Sequence, residues 1–216
     1  MKNTSDPIAC WNRAAKDASF THPFDREAFA ALVPQNARVL DIGCGYGRTV
    51  AALALHGYEN VTGLYVSPAM IERGRNEHPG LDLRLWQGET LPFQDGVADA
   101  AVLFAVLTCI PEDMAQDDLL RETRRVLTPG GILYVSDYPI QVDERNRQRY
   151  RASRPPGMPY GVFSLPDGSV FRHHDEGRIA SLFAGFERVS EKEITVTTFK
   201  GNAAQAFQIF LKKPGP

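Results

Sequence analysis

The sequence predicts an α/β fold: a doubly wound, mostly parallel seven-stranded sheet with an antiparallel edge strand and helices on both faces. Three observations carry this. Short apolar runs alternate with helical patterns from residue 38 to 137, the signature of βαβ units. The first run passes through Asp41 into glycines at every second position, Gly43, Gly45 and Gly47, and then into a helical pattern. Two long β-prone segments close the chain, over 187–199 and 203–212, and are expected to pair as an antiparallel edge.

Each element has its own signal. Residues 38–42 form the first strand, and TVAALALH (49–56) an Ala/Leu-rich helix stopped by Gly57. VTGLYV (61–66) is the second strand; Ser67 and Pro68 are the cap and first residue of the helix behind it. LDLRLWQ (81–87) is the third strand and VADAAVLFAVL (97–107) a buried fourth. A helix over 113–127, a turn at Thr128-Pro129-Gly130-Gly131 and a fifth strand over 132–137 follow. Simple alternation then ends. Residues 142–152 form a charged helix in which Arg145, Arg147, Arg149 and Arg151 spread charge around the axis, which favours a solvated face. A hairpin turn falls at Pro166-Asp167-Gly168, and Asp175 caps a short helix reaching Phe183. Residues 140–174 read as an insertion over the carboxyl ends of the strands, where open α/β sheets bind ligands. Residues 1–36 read as a helical segment closing over the same end.

The 216 residues, 43% hydrophobic, suit one domain over 1–216. The formal charge of −2 argues against a chain built to hold nucleic acid. Cys10, Cys44 and Cys109 offer neither a disulfide framework nor zinc spacing, so no metal is expected and a reducing cytoplasm is the simplest location. No run is long enough to span a bilayer, and the N-terminus lacks a signal-type apolar core.

The D-x-G-x-G-x-G spacing of Asp41 to Gly47 differs from the dinucleotide fingerprint G-x-G-x-x-G, which makes a dehydrogenase the weaker option. It resembles the nucleotide-binding turn of class I S-adenosylmethionine-dependent methyltransferases, small-molecule type. Four further segments agree in order and spacing. VTGLYVSPAMI resembles the family's V-x-G-x-D-x-S-x-x-M-I, and Gly88-Glu89-Thr90-Leu91-Pro92-Phe93 resembles G-D-A…L-P-F. FAVLTCIP (104–111) stands where many members have V-L-H-H-x-P, and LLRETRRVLTPGGILYVSD (119–137) resembles L-R-E-x-x-R-V-L-K-P-G-G-x-L.

The resemblance implies S-adenosylmethionine as cofactor and S-adenosylhomocysteine as product. It places Asp41 at the cofactor's amino-acid end and gives Gly43, Cys44 and Gly45 backbone contacts, with Gly47, Val66, Met70, Gly88, Thr90, Phe104 and Ala105 beside them. Glu89 matches the acid that accepts from the adenine amino group, and Trp11 is a lid or a packing anchor. Tyr65 stands where the family has the acid that accepts from both ribose hydroxyls; a phenol offers one oxygen, not a carboxylate's two. Thr108 and Cys109 replace the two histidines, so the histidine base of some members is missing. Substrate contacts are expected from Thr108, Tyr150, Tyr160, Phe163 and His173. His173, His174 and Tyr138 are the candidates for proton transfer. On a strand the two histidines point to opposite faces, so at most one enters the pocket, with a surface position for both as the alternative.

The implied function is in-line methyl transfer to an oxygen, nitrogen or sulfur nucleophile of a small molecule, with no membrane or nucleic-acid partner and the oligomeric state open. No Asp/Asn-Pro-Pro-Tyr follows the fourth strand and no Pro-Cys precedes Ile110, which disfavours nucleic-acid base methylation. The alternative is a non-catalytic member, or one using a modified adenosylmethionine, because Tyr65 replaces the ribose acid.

Overall fold

The computed structural model describes residues 7–198 and 201–215. The start of the N-terminal segment, residues 1–6, and Phe199, the expected end of one strand, lie outside the described residues. Seven strands form one sheet in the order β3-β2-β1-β4-β5-β9-β8. They are β1 (Val39–Ile42), β2 (Val61–Tyr65), β3 (Asp82–Leu85), β4 (Ala98–Phe104), β5 (Leu127–Asp137), β8 (Glu187–Thr197) and β9 (Ala203–Lys212). Strands β1 to β5 are parallel, and β9 is antiparallel to both β5 and β8. The antiparallel strand therefore lies one place in from the edge, and β8 is outermost.

Alternation along the strands builds two cores. Val39, Val61, Tyr65, Val102, Tyr134 and Phe210 face one helical layer, and Leu40, Leu64, Leu103, Leu133, Val135 and Ile209 the other. The helices are α1 (Pro7–Ala14), α2 (Arg26–Leu32), α3 (Arg48–Leu55), α4 (Pro68–Glu77), α5 (Asp113–Val126), α6 (Glu144–Ala152) and α7 (Glu176–Leu182). The expected caps form: Ser67 accepts from Met70 N–H and Asp175 from Arg178 N–H. Among the described residues no helix is long and apolar enough to cross a membrane.

Two boundaries differ from expectation by three or more residues. β4 ends at Phe104, not 107: the Ala105 N–H makes the last ladder bond, to the Ser136 carbonyl at 2.7 Å, and Ala105 then takes a left-handed φ of 53°; Leu107–Cys109 make a 3-10 turn. β5 begins at Leu127, not 132: Leu127 pairs with Ala98, and a register shift between Ala98 and Ala100 absorbs the glycine turn. Over 140–174, α6 is followed by the hairpin β6 (Val162–Ser164) and β7 (Val170–Arg172). A bridge between Pro139 and His174 ties this unit to the end of β5.

The chain leaves β1 for β2 on one side and returns as β4 on the other. That reversal opens a crevice beyond the carboxyl ends of β1 and β4.

Candidate functional site

The glycine turn lies in this crevice. The N–H groups of Gly43 and Cys44 donate to the Leu64 carbonyl at 2.8 and 3.0 Å, folding the turn over the end of β2. Gly43, Gly45 and Gly47 have φ of 89°, 60° and 84°. A Cβ at Gly43 would run into Val106, one at Gly45 into the Phe20 ring, and one at Gly47 would lie 2.9 Å from Leu83. Conformation and space both demand glycine here.

Asp41 is 2% exposed, and its Oδ2 has no hydrogen-bond partner among the described residues. Burial pushes its pKa up to about 7, against the opposing charge of Arg48. Arg48, the first residue of α3, donates from Nη2 to the His22 carbonyl at 2.5 Å, while its buried Nε is unpartnered. His22 is 4% exposed; its Nδ1 meets Ser136 Oγ at 2.8 Å and its Nε2 is unpartnered. Burial, then the Arg48 charge, lower the His22 pKa to about 4, so the ring is neutral near pH 7. Arg48 and His22 were missed from sequence, because no motif marks a contact across 26 residues.

The N-terminal segment straps the crevice. Phe20 stacks on Tyr46 at 5.2 Å, and Arg73 lies 4.0 Å over the same Tyr46 ring while donating to the carbonyls of Ala15 and Ala18. Asn12 accepts from Ser67 Oγ at 2.6 Å. Trp11 sits edge-on to Phe20, Tyr65 and Phe171, at 6.1, 6.1 and 6.5 Å. Tyr65 is buried; burial, then the thiols of Cys109, Cys44 and Cys10, hold its hydroxyl neutral. All three cysteines, distant in sequence, are free thiols.

The remaining expected residues divide. Phe104 packs edge-on to Tyr134 at 4.8 Å, and Val66 accepts from Gln87 through its carbonyl. Met70 is wholly buried in the core, whereas Gly88, Glu89 and Thr90 are exposed. In the insertion, Tyr150 is wholly buried, Phe163 is buried beside it, and Tyr160 is 41% exposed at its edge. Phe163 reaches Phe171, so the insertion's rings meet Trp11 of the strap. Thr108 is buried and its hydroxyl is spent on the Arg172 carbonyl at 2.7 Å.

The surface alternative for the histidines fails: both are buried. His174 uses both nitrogens inside the fold, Nδ1 toward the Tyr138 carbonyl and Nε2 toward Gln116 Nε2 at 2.9 Å, which leaves it no lone pair for proton transfer. Tyr150 accepts from Gln141 N–H and gives its own proton to His173 Nδ1 at 2.5 Å; the His173 ring proton then sits on Nε2. Tyr138 lies between the rings of His22 and His173, at 4.8 and 5.2 Å.

Residues 40–135 match the family model described as a methyltransferase domain. Over these residues the chain is similar to class I, Rossmann-like methyltransferase domains of the S-adenosylmethionine-dependent kind. Among solved structures it is similar to a SAM-dependent methyltransferase from Methanosarcina mazei, at 26% identity and a TM-score of 0.81, covering 88% of this chain and 98% of that one. Curated relatives include 24-methylenesterol C-methyltransferase 2 of Oryza sativa subsp. japonica, 28% identical over 85% of this chain and 50% of its own length. A second is 2-methyl-6-phytyl-1,4-hydroquinone methyltransferase of Synechocystis sp., 29% identical over 65% of this chain and 44% of its own length. The chain thus spans about half the length of these relatives or less.

Proposed function

We propose that this chain, as one domain over 1–216, transfers a methyl group from S-adenosylmethionine to a nucleophilic atom of a small molecule by in-line displacement. The observation that carries this is the glycine turn at the β1/β4 crevice with a buried, half-unpaired carboxylate, Asp41, at its base. The orphaned polar atoms there suit a ligand with an ammonium and a carboxylate, so the residues fit the cofactor. The family match and the named relatives favour methyl transfer over the non-catalytic alternative.

Asp41, Gly43, Cys44 and Gly45 would hold the cofactor's amino-acid end and backbone edge, Glu89 its adenine, and Trp11 would close over it. The cofactor supplies an activated methyl on a sulfonium. The protein's share is alignment and exclusion of water, worth roughly 7–11 kcal/mol in well-oriented systems. The insertion would roof the acceptor's pocket, with Phe163, Phe171, Tyr138 and the Nε2–H of His173 as its wall. Such a wall suits a flat, largely apolar acceptor carrying one polar group, consistent with relatives named for a sterol and a hydroquinone. Three free thiols support a reducing, cytoplasmic setting.

Calorimetry with S-adenosylhomocysteine tests the cofactor half; no heat and no thermal shift at millimolar ligand would refute it. Gly45→Val tests the location. A side chain at φ 60° against Phe20 should abolish binding in a folded variant, and unchanged affinity would move the site elsewhere.

A further inference from the structure

The insertion carries a chain of polar groups whose protons all run one way. At its buried end the Gln141 N–H donates to the Tyr150 hydroxyl at 3.0 Å. Tyr150 is wholly buried, and its oxygen lies 2.5 Å from His173 Nδ1. Were His173 to donate there, the tyrosine would accept twice and its own proton would be left unpaired in the interior, which is costly. The Tyr150 proton therefore goes to Nδ1, and the ring proton of His173 stands on Nε2. Burial lowers the His173 pKa to about 3, so the ring holds that one proton at neutral pH.

Ring contacts on either side place this N–H. The His173 ring lies 5.2 Å from Tyr138, just past the carboxyl end of β5, and Tyr138 lies 4.8 Å from His22 of the N-terminal segment. On the other side it lies 5.1 Å from Phe163, which reaches Phe171 at 6.2 Å and through it Trp11 at 6.5 Å. Trp11 meets Phe20, the ring that covers Gly45. The belt thus runs from the insertion to the glycine turn and returns through His22. It is built mostly of carbon rings. His173 keeps 8% of its surface open, and its Nε2 has no partner among the described residues.

We infer that Tyr150 and His173 set the chemistry of the acceptor molecule: Tyr150 positions the imidazole, and His173 Nε2–H donates to an uncharged, carbonyl-type oxygen on an otherwise flat and apolar acceptor. The inference rests on the insertion roofing the acceptor's pocket. His173 then takes no proton from the nucleophile, which lies elsewhere on the acceptor molecule. An ammonium in the carbonyl's place would set two donors against each other and leave both unpaired, so such a molecule is refused.

Binding of three bicyclic probes to the full chain, with S-adenosylhomocysteine present and followed by tryptophan fluorescence, tests this. They are α-tetralone, with a carbonyl; the corresponding amine, with an ammonium in its place; and tetralin, with neither. The ketone should bind at least about tenfold tighter than the other two. His173→Leu should erase that margin and leave tetralin unchanged. Tyr150→Phe, which keeps the ring but frees Nδ1, should cut the margin at least about threefold. Nitrogen NMR spectra of the histidine-labelled chain give a readout that packing alone would not move. His173 should carry its proton on Nε2 in the parent and share it between both nitrogens in Tyr150→Phe. Unchanged affinity for S-adenosylhomocysteine shows that each variant is folded. A proton on Nδ1 in the parent, equal binding of the three probes, or a ketone margin that survives His173→Leu overturns the inference. Binding of none of the probes overturns it too, and S-adenosylhomocysteine, measured alone, then says whether the cofactor reading stands.

Discussion

Asp41 and Asp137 are carboxyl groups that burial pushes up to about 7, and each lies at the carboxyl end of a parallel strand. An acid whose folded pKa exceeds its unfolded value of about 3.9 supports the fold fully below that value. The support fades as pH rises through about 7. Asp41→Asn is therefore expected to stabilise the ligand-free protein at pH 8 by at least ~1 kcal/mol, with the gain vanishing near pH 4. Urea midpoints of both proteins at the two pH values check this. The buried histidines act with the opposite sign: lowered to about 4 for His22 and about 3 for His173, they support the fold above pH 6.5 and withdraw support as pH falls through those values. Ala105 is a second point of tension, at a φ of 53° beside the crevice. A left-handed alanine costs roughly 1–2 kcal/mol and glycine's extra unfolded freedom about 0.5–1. Ala105→Gly should thus be neutral to stabilising by about 1 kcal/mol at unchanged m-value; a clear loss would show that the Ala105 methyl packs more tightly than its backbone is strained. At this scale the glycines and Asp41 were legible in the sequence, since spacing alone marks them. The neighbours of Tyr65 were not, because Trp11 reaches it from α1, far away in the sequence.

Among the elements, caps and turns were read best. Ser67, Asp175, Gly57 and the Pro166-Asp167-Gly168 turn each act through local geometry that neighbouring residues specify. The end of β4 was misread because VLFAVL is one unbroken apolar run; what stops it is the left-handed backbone at Ala105, which an alanine does not announce. The inward position of β9 did have a signal. Its AAQAFQIFLK is mostly buried, while ERVSEKE of β8 is exposed, as an edge guarded by charge requires. The insertion hangs on one buried phenol. Tyr150 joins α6 to Gln141 and to His173 beyond β7. Tyr150→Phe leaves a buried N–H and a ring nitrogen unpaired, and should cost about 1–3 kcal/mol. A loss confined to the insertion should appear as faster hydrogen exchange over 140–174, with the sheet unchanged.

At the scale of the molecule, the sheet was legible because each βαβ unit carries its own periodicity. The grouping of Asp41, Arg48 and His22 was not, because it is assembled by contacts such as His22 with Ser136, 114 residues apart. The strap is held from both sides. Arg73 and Asn12 tie it to α4; Gln208 donates to the Pro23 carbonyl, Thr21 to the Thr197 carbonyl, and Lys192 pairs with Asp25.

The Phe20 ring on Gly45 makes every ligand of that turn compete with the protein's own side chain. Intrinsic affinity is then divided by the fraction of molecules whose ring has moved aside, so a strap open in one molecule in about ten lowers apparent affinity tenfold. Two kinetic and thermodynamic outcomes follow. The observed association rate for S-adenosylhomocysteine, followed by tryptophan fluorescence, should level off at high ligand concentration at the rate of strap opening. Phe20→Ala should remove that ceiling and tighten binding severalfold even as it lowers the melting temperature of the free protein; a rate that keeps climbing linearly in the parent protein would mean the ring yields without cost. The chain would then be tuned not for the tightest grip on its cofactor but for its release, since a ring that resists entry also reclaims the turn once the product has left.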